Sequence, residues 1–308
     1  MLFKFLGQQI GNLFLYPANQ PIPKTPSDYG ISYRDVEFKT RDGLMLSGWL
    51  LNEGGIATII MTHFGYRANR FGYQTKHQGL VKPYDQEIEF VKVAKQLVDV
   101  GYTVLMYDLR NHGESGKSKL GVGTGGVEES QDVIAAVEFI GSQSDKPIGL
   151  LSYCMGANAT FYAQGDNPEV FTHNNVQALV AMQPLTNGEF LRKQGFGKRI
   201  ERHAENHYRK MTGYSLDHPI LDHVEKVITP TLLLQGYRDV STNMDFIRAL
   251  YDRLSAEKKM YWMEETIHRF DGYNYFADHP KDMLDWFQRH LQTNSSAIHR
   301  EQSQLAAH

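Results

Sequence analysis

At 308 residues the chain is long for one domain, yet single α/β domains with an inserted cap reach this size, and it can bury one extensive core. With 41% hydrophobic and 22% charged residues and a formal net charge of -3, it has the composition of a globular protein and no basic excess for nucleic acid. One cysteine excludes an intrachain disulfide framework and no Cys/His cluster has zinc spacing, so neither metal nor cofactor is expected and a reducing cytoplasm fits best.

The first sixteen residues place Phe3, Leu6, Ile10, Leu13 and Phe14 at helical spacing, interrupted by Gln8, Gln9 and Asn12. The segment is too short and too polar to span a bilayer. Residues 1–30 are therefore expected to be an amphipathic helix packed on the body and a Pro-rich linker, with contact to a membrane surface or a second copy as alternatives. Val36 to Thr40 and Leu44 to Leu51 read as strands of a hairpin turning at Arg41-Asp42-Gly43. Strands at Ala57 to Thr62, Thr103 to Tyr107 and Ile148 to Tyr153 then alternate with helices at Ile88 to Val100 and Glu128 to Ser142, which implies a largely parallel sheet. Further strands are expected at Ala178 to Met182, Thr231 to Leu234 and Lys259 to Met263, with a last helix from Pro280 to Leu291 and a flexible tail over 293–308.

Two stretches break this rhythm. Tyr66 to Gln86 exceeds the usual connection length and is expected to overhang the site. Pro184 to Thr229 has helical character and reads as an inserted lid, giving a core of 31–184 and 230–292 and a lid of 185–229. Between Arg192 and Lys210 the lid holds seven basic residues, against the acidic Glu189, Glu201 and Glu205.

The run Ile148-Gly-Leu-Leu-Ser-Tyr-Cys-Met-Gly-Ala157 is apolar and ends in small residues around one cysteine. That is the pattern of a nucleophile elbow, in which small residues two before and two after the reactive side chain let strand and helix pack closely. Ser152 and Gly156 hold those places around Cys154. Were Ser152 the nucleophile, Leu150 would crowd the turn, so the nucleophile is placed at Cys154.

With this elbow in place, the chain resembles the α/β-hydrolase superfamily from Val36 to Leu291. The cysteine in the elbow is similar to that of dienelactone hydrolases and polyhydroxyalkanoate synthases. The resemblance implies a mostly parallel central sheet flanked by helices with an inserted helical lid, and a chain order of nucleophile, acid, base. Asp239, in Leu234-Gln-Gly-Tyr-Arg-Asp, and His268, just beyond the strand ending at Met263, stand at those places. His268 would then activate Cys154 and Asp239 would orient His268. The first oxyanion donor is expected from the N–H of Met155. The second is expected from His63-Phe64-Gly65-Tyr66, where taking Gly65 as the motif glycine makes Tyr66 the donor and leaves His63 to hold the loop. Asp108-Leu-Arg-Asn-His-Gly-Glu-Ser resembles a structural turn of the superfamily, and Gly121 to Gly126 lacks the following Lys-Ser/Thr of a phosphate loop.

The function expected is an acyl-transfer hydrolase of esters, lactones or thioesters working through a thioester on Cys154, with an acyltransferase or a ligand-binding homologue as alternatives. Phe64 and Phe190 would line an apolar acyl pocket, and the lid's excess positive charge from Arg192 to Lys210, with Lys76, Lys82 and Arg70 in the overhanging loop, would draw an anionic or carrier-linked acyl substrate.

Overall fold

The computed structural model describes residues 2–16, 20–77, 84–266 and 268–291. Helix α1 (Leu2–Leu15) leads, and the hairpin β1 (Tyr33–Lys39) and β2 (Met45–Leu51) opens the sheet. Then come β3 (Thr58–Thr62), the short β4 (Gly72–Tyr73) and β5 (Ile88–Glu89), α2 (Phe90–Asp99), β6 (Thr103–Tyr107) and α3 (Ser130–Gly141). The strand β7 (Ile148–Tyr153) runs into α4 (Met155–Asp166), followed by α5 (Pro168–His173) and β8 (Val176–Met182). The insertion carries α6 (Asn187–Lys193), α7 (Lys198–Thr212) and α8 (Ile220–Val224). The chain closes with β9 (Thr231–Gly236), α9 (Met244–Arg253), β10 (Lys258–Met263), α10 (Arg269–Asp278) and α11 (Lys281–His290).

Eight strands form one sheet in the order β1-β2-β6-β3-β7-β8-β9-β10, antiparallel at β1–β2 and β2–β6 and parallel from β6 onward. Every residue of β3, β6 and β7 is buried, because helices cover both faces of a parallel sheet. One face, with Ile59, Met61, Leu151 and Val180, packs on α2, α10 and α11; the other, with Ile60, Leu105, Leu150 and Leu179, packs on α3, α4, α5, α8 and α9. A separate small core, Leu15, Val122, Leu191, Ala204, Tyr208 and Leu216, joins α1 to α6 and α7.

The expected strands are all present, several of them a few residues longer. The helix expected from Ile88 begins later, because Ile88 and Glu89 pair with Gly72 and Tyr73 in a two-stranded ribbon. The first strand of that ribbon falls within the expected overhanging loop and the second just past its end; residues 78–83 of the loop, including Lys82, lie outside the described residues, as does the tail 293–308. Helices α9 and α10 follow the strands whose ends were read only as loops. Among the described residues no helix is long and apolar enough to cross a membrane.

Candidate active site

Four parallel strands deliver the site at their carboxyl ends, where α/β sheets place their ligands. Cys154 follows β7, the loop His63 to Tyr66 follows β3, Asp239 follows β9, and the start of α10 follows β10. Cys154 has φ 49° and ψ -107°, a left-handed backbone rare outside glycine that sets the thiol at the tip of the turn and at the N-terminus of α4. A Cβ at Gly156 would lie 2.6 Å from the carbonyl of Thr62 and 2.7 Å from that of His63, so only glycine lets α4 approach β3. Ser152 is fully buried with its hydroxyl 2.8 Å from that of Thr160.

The side chains around the sulfur are not the expected ones. Arg269 and Tyr273, one turn apart on α10, lie near enough to Cys154 for a charge on its sulfur to act on both. Arg269 Nη1 donates to Asp239 Oδ2 at 2.9 Å and to Thr242 Oγ1 at 2.7 Å, Nε donates to the Tyr273 hydroxyl at 2.8 Å, and Nη2 donates to the Gln183 carbonyl. Asp239 also accepts from the Thr242 hydroxyl at 2.6 Å and the Ser241 N–H at 2.8 Å. Burial pushes the Asp239 carboxyl up, but Arg269 and these donors outweigh it and leave the carboxyl below its ordinary range. Burial likewise opposes the charge on Arg269, and the neighbouring Tyr273, Cys154 and Asp239 more than restore it. The Tyr273 hydroxyl is pushed well above the ordinary phenol range, chiefly by burial, against the pull of Arg269.

Asp239 therefore orients Arg269 and not His268. Among the described residues His268 makes no hydrogen bond with Cys154 or Asp239. It is the N-cap of α10: its Nδ1 accepts the Phe270 N–H at 3.2 Å, and its own N–H donates to Asp271 Oδ2 at 2.9 Å. Its ring stacks on Tyr84 at 4.6 Å, and the Tyr84 hydroxyl donates to Asp271. With Nδ1 accepting, the neutral ring carries its proton on Nε2 and has no lone pair left for a base. The helix thus starts directly after His268, and consecutive helical residues point about 100° apart. Arg269 and Tyr273 turn toward the thiol while His268 turns toward Tyr84.

The loop after β3 is held from below. His63 Nε2 accepts the Leu109 N–H at 3.0 Å and its Nδ1 donates to the Phe64 carbonyl at 2.7 Å; burial keeps its pKa well below the ordinary value. His112 Nε2 donates to the Gly65 carbonyl at 2.7 Å, and Asp108 receives the Arg70 N–H at 2.6 Å, so the Asp108 to Ser115 turn clasps the loop. Gly65 lies against Met155: a Cβ there would be 2.6 Å from Sδ. Among the described residues the N–H groups of Phe64, Gly65, Tyr66 and Met155 carry no hydrogen bond.

Phe64 is buried and stacks on Tyr273 at 4.6 Å, which places it beside the site as packing for the tyrosine. Phe190 meets Phe14 of α1 edge-on at 6.0 Å. Of the cations expected to draw an anion, Arg192 pairs with Asp217 and Glu189 and the buried Arg70 pairs with Asp108 and Glu114, while Lys198, Arg199 and Arg202 are in no ion pair among the described residues. In the Gly121 to Gly126 loop, the N–H groups of Thr124 and Gly126 donate to Glu129 at 3.0 and 2.9 Å, so they are closed to a phosphate. Among the described residues no group of three His, Cys, Asp or Glu is placed to hold a metal ion. Reading the sequence alone misses Arg269, Tyr273, Thr242 and Gln183. The one available signal was His268-Arg-Phe-Asp271, a capping pattern that starts a helix.

The prolyl oligopeptidase family (Peptidase_S9) matches residues 89–294. No curated protein matches the chain in sequence. Among solved structures, an esterase of Pyrococcus furiosus superposes with TM-score 0.68 at 20% identity, covering 91% of this chain and 99% of its own. The α/β hydrolase GrgF of a Penicillium species gives 0.58 at 18% identity over 84% and 99% of the two chains. The esterase domain of a Rhodothermus marinus protein gives 0.55 at 17% identity over 85% and 100%. At these identities the likeness carries the fold.

Proposed function

Because the chain belongs to the prolyl oligopeptidase family, whose nucleophile is usually serine, we propose that it is an acyl-transfer hydrolase in which Cys154 carries the acyl group as a thioester. The observation that carries this reading is the strained elbow at Cys154, with a buried arginine and a buried tyrosine near its sulfur. Esters, lactones and thioesters are the favoured substrates, in keeping with the two esterase neighbours.

In this reading Arg269 stands where a Cys-His-Asp triad has its imidazolium. It is a permanent cation beside the sulfur, so the attacking charge is balanced without a proton transfer to a base. A guanidinium cannot accept a proton, and the Tyr273 hydroxyl, which accepts from Arg269 and lies near Cys154, is the group that moves one. The Cys154 thiolate attacks the acyl carbon, the C–S bond forms, and the charge passes to the acyl oxygen opposite the Met155 N–H and the loop after β3. On collapse the bond to the leaving atom breaks and that atom takes the Tyr273 proton, leaving a phenolate against Arg269. Water then gives a proton to the phenolate as its oxygen attacks the thioester; the C–S bond breaks and the sulfur recovers its charge. Another nucleophile in place of water turns the same cycle into acyl transfer.

Intact-mass spectrometry after brief incubation with p-nitrophenyl esters and acyl thioesters tests the reading. The wild-type chain is expected to gain one acyl mass that Cys154→Ala does not gain. Absence of both adduct and turnover across esters, lactones and thioesters overturns it. A second reading, a binding protein that keeps a hydrolase site, draws on the engagement of Asp239 with Arg269 in place of an imidazole. Equal, negligible turnover in the wild-type chain and Cys154→Ala, with unchanged ligand affinity, selects that reading.

A further inference from the structure

Helix α1 is apolar on two opposite faces. Gly7, Gly11 and Leu15 seat it on α7: a Cβ at Gly7 would lie 2.4 Å from His203 Cβ, and one at Gly11 would lie 3.0 Å from the His207 ring. Successive positions turn by about 100°, so Leu2, Phe5, Leu6, Leu13 and Tyr16 fall on the far side. They are 66, 57, 36, 54 and 51% exposed, and Phe3 at their margin is 46% exposed. Scattered surface apolar residues need no explanation, but here five share one helix face, interrupted by the exposed Gln9, and such a grouping marks an interaction site.

What surrounds this stripe identifies its partner. The first turns of α1 and α7 lie side by side, since the Arg199 guanidinium sits 5.8 Å from the Phe3 ring. Lys4, Lys198, Arg199 and Arg202 are exposed there, and among the described residues none of the four is in an ion pair; Phe196, between α6 and α7, adds a further exposed ring. Three of these cations occupy the start of α7, where the helix dipole disfavours positive charge, so helix stability does not account for them. A second copy fits poorly, because a two-fold contact sets the same patch against itself and would bring the two cation clusters together. An anionic surface satisfies both features. At 14 residues α1 is about 21 Å long, short of the roughly 30 Å of hydrocarbon in a bilayer, so it would lie in the interface and not cross.

We propose that the outer face of α1, together with Arg199 beside Phe3 and the other exposed cations of the first turn of α7, docks the protein on the surface of an anionic lipid bilayer. The proposal stands apart from the hydrolase reading. Through α6 and α7 it sets the helical insertion of the chain at that surface.

Flotation of the full chain with extruded vesicles tests it, comparing pure phosphatidylcholine with phosphatidylcholine containing phosphatidylglycerol, at low and high salt. Binding is expected to the anionic vesicles and to fall as salt rises. Phe5→Ser and Leu13→Ser are each expected to lower the partition constant by about tenfold or more. Arg199→Gln with Arg202→Gln should lower binding to anionic vesicles and leave binding to neutral vesicles unchanged. Equal binding to both vesicle types, or no binding, overturns the proposal. So does concentration-dependent self-association in solution that Phe5→Ser abolishes, since the face would then belong to a second copy. Unfolding midpoints and hydrolysis of a soluble p-nitrophenyl ester are expected to stay at the wild-type level in all these variants, so this test and that of the hydrolase reading fail independently.

Discussion

Two arginine-bearing regions of this protein use the same side chain in opposite ways. At the carboxyl edge of the sheet, Arg269 is buried, bonded to Asp239, Thr242, Tyr273 and Gln183, and near the one thiol. In the layer of α1, α6 and α7, Arg199 and Arg202 are exposed and held by no ion pair among the described residues, and the helices beneath them meet through two glycines. A charge fixed in a low-dielectric site can stabilise a specific reacting atom, because its interactions are strong and unscreened. A charge on an exposed helix is screened within about 8 Å at physiological salt and acts on whatever surface approaches. The difference lies in burial, and burial sets how much each residue is worth.

The comparison breaks most sharply at Tyr273. Tyr273→Phe removes one hydroxyl and keeps the ring stacked on Phe64, so turnover of a p-nitrophenyl ester is expected to fall by about 10²- to 10⁴-fold, with a stability loss of about 1 to 3 kcal/mol from the Arg269 Nε donor left without its partner. A loss under tenfold would take Tyr273 out of the proton path. Next in size is Arg269→Met, which strands a buried carboxylate. Denaturant unfolding should show a loss of about 3 to 5 kcal/mol, much of it recovered when Asp239→Asn is added, since breaking a buried pair costs more than replacing it.

His218 sharpens the boundary between the two regions. It is buried where the insertion meets α4, edge-on to Tyr162, Tyr208 and Tyr214. Burial lowers its pKa to about 4, against the pull of Glu129, Glu205 and Asp217. Between that value and its unfolded pKa near 6.5 the unfolded chain binds the extra proton. The contribution of this residue is therefore complete above about pH 6.5 and is lost as pH falls toward 4, by about 3 kcal/mol in all. Unfolding measured from pH 7 to pH 4.5 should show this decline, and His218→Phe should flatten it. The smallest effect belongs to α1. Gly7→Val forces a Cβ into His203, so α1 must lift at a cost of about 1 to 3 kcal/mol confined to the α1–α7 contact. Protease cleavage within α1 should speed up while the midpoint of the sheet core stays put; a shift of the core midpoint by a comparable amount would tie the two regions together.

Much of the fold was legible in the chain because its signals are local. The largely apolar runs of β3, β6 and β7 have the short, continuous pattern of strands buried on both faces. The small residues Ser152 and Gly156 can only serve a close strand–helix approach, which fixed Cys154 as the elbow residue. Asp239 follows from the break of an apolar strand at Gly236. Other features needed the tertiary structure. Whether His268 or Arg269 faces the thiol is a matter of one residue on a helix, a rotation of about 100° that composition and chain order cannot see. That choice follows from where α10 begins, and its start is held by the bond from His268 to Asp271 and by Tyr84, 187 residues earlier than Asp271, reaching the same carboxylate. The same holds for α1. Its apolar spacing announced a helix, but which face the glycines close against α7 and which face stays open is decided only by packing between residues nearly two hundred apart.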